Sequence, residues 1–480
     1  GVMSGAREGE RLAELAKRRG YFFGASGAYG GAAGFYTFGP QGAALKSNVE
    51  AAWRDRFTVR EGNFEIEAPT IMPEPVFEAS GHLDGFDDML VECPDCGESH
   101  RADHLLEDTT SIEDAEPLPV SDVEGLLADH DVRCPTCDSP LAGESVDQFN
   151  LMFGTNIGPG SSTPGYLRPE TAQGIFVEFP RIKEYARNSL PFGVTQVGRA
   201  YRNEISPRKG IVRTREFTQA ELEQFVDPER DDPDLESVAD VEVTLYPAPE
   251  QHADDGEYVE TTVGEAVEAG IIGDPWIGYF VGVAQEWYET LGVDMDRFRF
   301  RQHLPGERAH YAADCWDAES EVDGDWIEIA GFAYRGDYDL SKHAEHADDD
   351  FTIFREFDEP TTEEQAVVDP DMSVLGPEYG SEAADVAAAL EELADRNPAA
   401  FDDETVQVTV GGETRTVDTE VADFRIEERT VHGEHITPHV IEPSFGIDRT
   451  VYTLLVHAFR EDEVDEATRT YLSLSPTVAP

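Results

Sequence analysis

Six basic residues fall within the seventeen positions from Arg199 to Arg215: Arg199, Arg202, Arg208, Lys209, Arg213 and Arg215, against one acid, Glu204. With 36 basic residues in 480, that stretch should hold between one and two. Apolar Val194 and Val197 lead in, Ser206-Pro207-Arg208-Lys209-Gly210 has the composition of a turn, and Ile211-Val212 resumes. The pattern predicts a hairpin rich in arginine. Guanidinium forks match phosphate oxygens two at a time, so one chemistry for this hairpin is a phosphate clamp; a solvated basic turn is the other.

A second constellation is Cys93-Pro-Asp-Cys96 with Cys134-Pro-Thr-Cys137. Two Cys-x-x-Cys pairs supply four thiolates at the bite of one tetrahedral ion, and structural zinc suits them best, with iron or an empty site as alternatives. His100 and His104 lie between the pairs, but four cysteines already complete a shell. Cys315 stands apart and reads as packing.

The elements that position these groups are legible in outline. Glu10–Arg19 has the spacing of a short amphipathic helix. The glycine-rich run that ends at Gly39 reads as turns and close backbone packing. After Pro40, Leu45, Val49, Trp53 and Phe57 mark one face of a helix, and Glu61–Pro69 alternates as a strand. A helix over Ile175–Phe179 follows Leu167–Gly174; Trp326–Gly331 alternates as a strand carrying one acid; Val440–Arg449 reads as a strand that feeds a helix through Gly446. Arginine in the first turn of that helix places a cation beside free backbone N–H groups. No internal repeat is evident.

Composition sets the setting. The formal net charge is −64, and only five residues are lysine. Self-repulsion of that size opposes a compact state unless salt screens it, and at molar salt the Debye length is about 3 Å. The charge therefore implies a strongly saline cell interior and a halophilic source. A nucleic-acid binder is expected to be basic; here recognition would rest on hydrogen bonds, stacking and shape, with basic residues kept where phosphate chemistry occurs. No membrane span or signal peptide is seen, and paired cysteines suit a reducing cytoplasm.

Arg202-Asn203-Glu204, followed by Arg213 and Phe217, resembles motif 2 of the class II aminoacyl-tRNA synthetases, in the form seen in glycyl-tRNA synthetases. The helix and strand ending at Pro69 resemble motif 1, and Gly446–Arg449 resembles motif 3, with Asp448 where the general pattern has glycine. Leu167-Arg-Pro-Glu170-Thr-Ala-Gln-Gly174 and the Arg101–Leu106 block match the same family. The resemblance implies an α+β fold: an antiparallel sheet flanked by helices, with a zinc-ribbon-like insertion and acidic insertions. It divides the chain into an N-terminal part of the catalytic core (1–90), a zinc-binding insertion (91–150), core with motif 2 (151–226), an acidic insertion (227–270), core (271–340), a second, β-rich acidic insertion (341–430), and core with motif 3 and the start of a linker (431–480).

The family's roles carry over by position. ATP would be held by Arg202, Asn203, Glu204, Val212, Arg213, Phe217, Glu328, Ile329, Gly446 and Arg449, with Mg²⁺ at Glu328. Arg202 would take the α-phosphate, Glu204 the adenine amino group, Phe217 the purine face and Arg449 the γ-phosphate. Glycine would meet Arg101, Glu170, Phe217, Glu221, Arg335, Glu442 and Ser444, with three acids around its ammonium group. Arg202 and Arg449 would be catalytic, Cys93, Cys96, Cys134 and Cys137 would hold zinc, and the partners would be tRNA-Gly and a second copy of the chain. An α/β anticodon-binding domain would follow in such proteins, and the chain ends about where its linker begins. Two other readings stand beside this one: a non-catalytic paralogue serving as an RNA-binding subunit, and a class II enzyme for another small amino acid.

Overall fold

The computed structural model describes residues 5–112, 115–160, 163–207, 210–253, 256–305, 314–464 and 467–480, with side chains from Gly9 onward. Arg208, Lys209 and Tyr311–Ala313 lie outside the described residues. Two compact units emerge, one formed by 1–352 with 437–480 and one by 353–436.

The first unit is built on helix α1 (Pro40–Trp53), strands β1 (Phe64–Glu65), β2 (Phe192–Tyr201), β3 (Glu216–Val226), β4 (Glu242–Tyr246) and β5 (Val259–Thr262), helix α2 (Pro275–Leu291), strands β6 (Phe298–Gln302), β7 (Cys315–Val322), β8 (Asp325–Gly336) and β9 (His439–Gly446), and helix α3 (Ile447–Ala458). The strands form one sheet in the order β5-β4-β6-β7-β8-β9-β3-β2-β1. The β1–β2 and β4–β6 pairs are parallel and the others antiparallel. The architecture is α+β, a mostly antiparallel sheet flanked by helices, as the sequence resemblance implies.

Period-two alternation divides the work of the central strands. Ala220, Leu222 and Val226 of β3, Ile441 and Phe445 of β9, and Trp316 and Ala318 of β7 enter the main core. The residues between them face the opposite side. Under the core face, Trp53 stacks on Phe57 with centroids 5.1 Å apart, and Phe57 meets Phe445 at 4.7 Å. Helix α2 closes that layer. Its ends are set by sequence: Asp274 accepts from Trp276 N, Pro275 stands in the first turn, and Gly292 (φ 91°) ends it in the left-handed region.

Three expectations give way here. Ile211-Val212 does not resume a strand, because β2 ends at Tyr201 and β3 begins at Glu216; both residues are buried and are drawn inward. The 227–270 segment is no mere surface insertion, since β4 and β5 extend the sheet and Val243, Leu245, Val263 and Ala266 join the core. The second acidic segment begins later than 341, at Ile353, because Leu340 and His343 of the 338–346 helix are buried in the first unit. It is also mixed in structure: a ribbon of 353–367 with 425–436, helices Met372–Tyr379 and Ala383–Arg396, and a hairpin of 405–410 with 413–418. Leu375, Val386, Leu390, Phe401, Val406 and Val417 form its own core.

Residues 91–146 gather around Val91, Leu105, Leu106, Val123, Leu127 and Leu141. Among the described residues, no helix is long and apolar enough to cross a membrane.

Candidate active site

The face of the sheet turned away from the core holds a cavity of about 320 Å³, a size suited to a small-molecule ligand. Its lining includes Glu170, Arg202, Glu204, Val212, Arg213, Phe217, Glu221, Glu328, Ile329, Glu442, Ser444, Gly446 and Arg449. Strand register explains the gathering. Glu221 pairs with Ser444, and Ser444 pairs with Gly331, so β3, β9 and β8 present one continuous row.

Glu328 reaches the same face through a defect. The β7–β8 register shifts between Ala318 and Glu319, which face Ala330 and Glu328 and leave Ile329 as the extra residue. A bulge re-aims the side chains beyond it, and simple alternation from Gly331 would have turned Glu328 away.

At one end of the cavity, the Arg202 guanidinium lies 5.5 Å from the Phe217 ring and 5.3 Å from that of Phe86, and its Nε donates to Pro169 O at 3.2 Å. Arg215 holds the loop between β2 and β3: its Nε and Nη2 donate to Glu204 O at 2.9 and 2.7 Å, and its Nη1 to Ala33 O at 2.7 Å. Gly34 (φ 79°) lets the glycine-rich run approach, since a Cβ there would stand 2.8 Å from Pro207 Cγ. Arg449 spans two elements, donating to Val212 O at 2.7 Å and Glu328 O at 2.8 Å. Arg213 Nη1 lies 3.4 Å from His104 Nε2.

At the other end the carboxylates converge. Glu221 is 2 % exposed; Ser444 Oγ donates to it at 2.7 Å and Thr171 Oγ1 donates to its other oxygen. Burial, then the charges of Glu442 and Glu170, push its pKa up to about 7. Burial also raises Glu442, against the pull of Arg335, whose Nη1 stands 3.0 Å from both its oxygens. For Glu170, burial is outweighed by His82, Arg335, the Gln173 amide and Arg202, and the group stays below its ordinary value. Beneath them Glu223 is fully buried and its pKa is pushed well up, by burial and by the charge of Glu442.

Comparison with known proteins agrees with this geometry. Residues 162–247 match the family described as "tRNA synthetase class II core domain (G, H, P, S and T)". The glycine–tRNA ligase of Methanothrix thermoacetophila is 46 % identical over 473 residues, covering 98 % of this chain and 80 % of that protein. The glycine–tRNA ligases of Methanothermobacter thermautotrophicus (46 %) and Methanocaldococcus jannaschii (44 %) each cover 98 % of this chain and 82 % of their own length. The chain belongs to the glycine–tRNA ligase family. It is an aminoacyl-tRNA ligase of class II, a glycine–tRNA ligase. Among solved structures, Giardia lamblia prolyl-tRNA synthetase in complex with prolyl-adenylate is 11 % identical with a TM-score of 0.49, covering 99 % of this chain and 55 % of that one.

Three residues expected at substrate do not line the ligase's cavity. Arg101 is 7 % exposed and occupied, with Nε 3.0 Å from Asp103 and Nη1 3.3 Å from Asp88. Arg335 sits behind Glu442 and turns its Nε and Nη2 to Asp339 at 2.6 and 2.8 Å. Asn203 is held by its backbone, N–H to Leu151 O at 2.8 Å. Of the remaining basic residues in the 199–215 stretch, Arg199 pairs with Glu216 at 2.8 Å away from the cavity.

Thr171, Gln173 and His82, to which the sequence reading gave no role, contact the acids: the Thr171 hydroxyl donates to Glu221. Gln173 Nε2 donates to Glu170 at 2.9 Å, and His82 Nε2 is 3.7 Å from it. The LRPETAQG block contains two of these residues, and their hydrogen-bonding side chains were the available signal. Asp448 departs from the family pattern with a local reason: buried, it accepts the Thr218 backbone N–H and lies 3.9 Å from Lys46.

The four cysteines lie together, Cys93 Sγ 3.5 Å from Cys137 Sγ and Cys96 Sγ 3.7 Å from Cys134 Sγ. Four sulfurs about 2.3 Å from one zinc ion would be about 3.8 Å apart, so the donor set fits. His100 Nε2 lies 3.3 Å from Cys134 Sγ, placed to support a thiolate.

Proposed function

We propose that the cavity joins glycine to the α-phosphate of ATP with loss of pyrophosphate, and then passes the glycyl group to the 3′ end of tRNA-Gly with loss of AMP. The observation that carries this reading is the pairing, in one cavity, of an arginine–aromatic end with a buried carboxylate end. The glycine ammonium would lie among Glu170, Glu221 and Glu442, with Ser444 alongside. Carboxylates and their hydrogen-bond donors crowd the space where a larger side chain would go, and exclusion by clash discriminates well against larger amino acids.

The carboxylate of glycine would attack the α-phosphorus, and pyrophosphate would leave. Arg202 stabilises charge at the α-phosphate, Arg449 holds the γ-phosphate, and Phe217 and Glu204 fix the adenine; positioning and preorganised charge supply most of the acceleration. Glu328 offers a hard oxygen donor for Mg²⁺, which would neutralise phosphate charge when bound. The four cysteines would hold structural zinc. The likeness of 40–69 to motif 1 supports a homodimer, the net charge of −64 supports a halophilic cytoplasm, and the 353–436 segment is proposed as an addition to the catalytic core.

The test is glycine-dependent ATP–pyrophosphate exchange in multimolar KCl, with alanine and serine as controls and Arg202→Ala alongside. Exchange with glycine alone, lowered about 10²- to 10³-fold in the variant, is expected. No exchange from folded protein would sink the catalytic reading and favour an accessory RNA-binding role.

A further inference from the structure

A second cluster of metal-ligating side chains stands in the wall of the same cavity. His303, Cys315 and Asp317 each offer a donor atom, and the three atoms lie within 4.8 Å of one another. All three residues line the cavity. Cys315 is therefore more than packing. Cys315 and Asp317 alternate along β7 and share its cavity face, while His303 follows the end of β6, fixed by its backbone N–H to Cys315 O at 2.9 Å.

Two further observations point to a ligand. The His303 ring donates or accepts at Nε2 with Asp317 Oδ2, 2.7 Å away, but its Nδ1 is buried and has no partner among the described residues. A buried imidazole nitrogen left unmet is costly in a finished core. The neighbouring row is also kept clear: Asp317 pairs with Gly331 and Cys315 with Ala333. Gly331 lies between the Asp317 and Glu328 carboxylates, each of which would stand 3.5 Å from a Cβ there, and it adds no side chain to that part of the cavity wall.

We propose that His303, Cys315 and Asp317 bind a thiophilic divalent cation, Zn²⁺ above all, at a site separate from the four-cysteine centre. One imidazole, one thiolate and one carboxylate are donors zinc accepts together, and three protein ligands leave a fourth position open. That position faces the cavity. Ligand atoms about 2.0–2.3 Å from a tetrahedral ion stand about 3.3–3.8 Å apart, inside the 4.8 Å over which these three donors gather, and binding would displace the protons of the donors that carry them. The inference rests on the geometry of these three residues and holds whether or not the ligase assignments above are correct.

Zinc content of the full chain, measured after equilibrium dialysis against Zn²⁺, tests it. Cys315→Ala and Asp317→Asn should each lose one equivalent per chain relative to the native protein. A Cys315→Ala protein that keeps the native content overturns the proposal. A measurement on the native chain alone guards against a misfolded variant. With both sites filled by Co²⁺, X-ray absorption should average about 2.5 sulfur ligands per cobalt, and an average of about 4 would leave only the four-cysteine centre.

Discussion

Replacing Glu221 by glutamine removes one charge from the carboxylate pocket and little else. Glutamine fills the same volume, its amide oxygen can still accept from Ser444 Oγ, and the Thr171 hydroxyl can turn to accept from the amide. In the native chain the Glu221 carboxyl has been raised from 4.5 to about 7. A raised acid favours the protonated folded state, so its contribution to stability is whole below about pH 4.5 and is lost as pH climbs through 7, about 3 kcal/mol in all. Glycine binding has the opposite sign. The ammonium group needs the carboxylate, so below pH 7 binding must expel a proton, at about 1.4 kcal/mol per pH unit. The glycine KM in ATP–pyrophosphate exchange should therefore rise about tenfold per unit as pH falls below 7. In Glu221→Gln the slope should flatten, and KM near neutrality should rise about 10- to 150-fold, the worth of a hydrogen bond to a charged group at about 1.5–3 kcal/mol. A variant that keeps the native slope, or a KM within about twofold of native, would refute the assignment of Glu221 to the ammonium group.

Packing and charge carry three more expectations. Gly42→Ala would set a Cβ 1.7 Å from the Tyr21 carbonyl oxygen, a backbone clash worth about 4 kcal/mol or more; an unchanged thermal midpoint would contradict it. With a net charge of −64, the midpoint should climb steadily from about 0.1 M to about 3 M KCl as repulsion is screened, and a flat profile would remove the case for a saline cytoplasm. Chelating the four-cysteine metal should raise hydrogen exchange across 91–146, whose core is its own, while β2 and β3 stay protected. Equal protection with and without metal would argue that the site has no structural role.

Much of the site was legible because its chemistry is concentrated in short contiguous stretches: Arg202, Glu204 and Phe217 flank one loop, and Glu442, Ser444, Gly446 and Arg449 lie within eight positions. What escaped depends on long-range geometry. The place of Glu328 hangs on the bulge at Ile329, which no local alternation announces. Arg101 and Arg335 were expected at substrate, but both meet carboxylates from near in sequence, Asp103 and Asp339, that claim their guanidinium groups first. The β4 and β5 strands were hidden by their flanking acids: in a chain this acidic, solvent-facing positions are acidic even on core strands, so density of charge stops marking an insertion. His303 and Cys315, distant from every family motif, gave no signal until the fold brought β6 beside β7.

The ribbon of the second unit has a consequence for how such chains change over time. Its first and last residues, Ile353 and Ile436, are paired neighbours, so the 84-residue segment leaves and rejoins the first unit through one doorway. Chain can be gained or lost there with two ends already a strand's width apart. A deletion that joins Thr352 to Thr437 by a tight turn would then bridge two ends that already stand side by side.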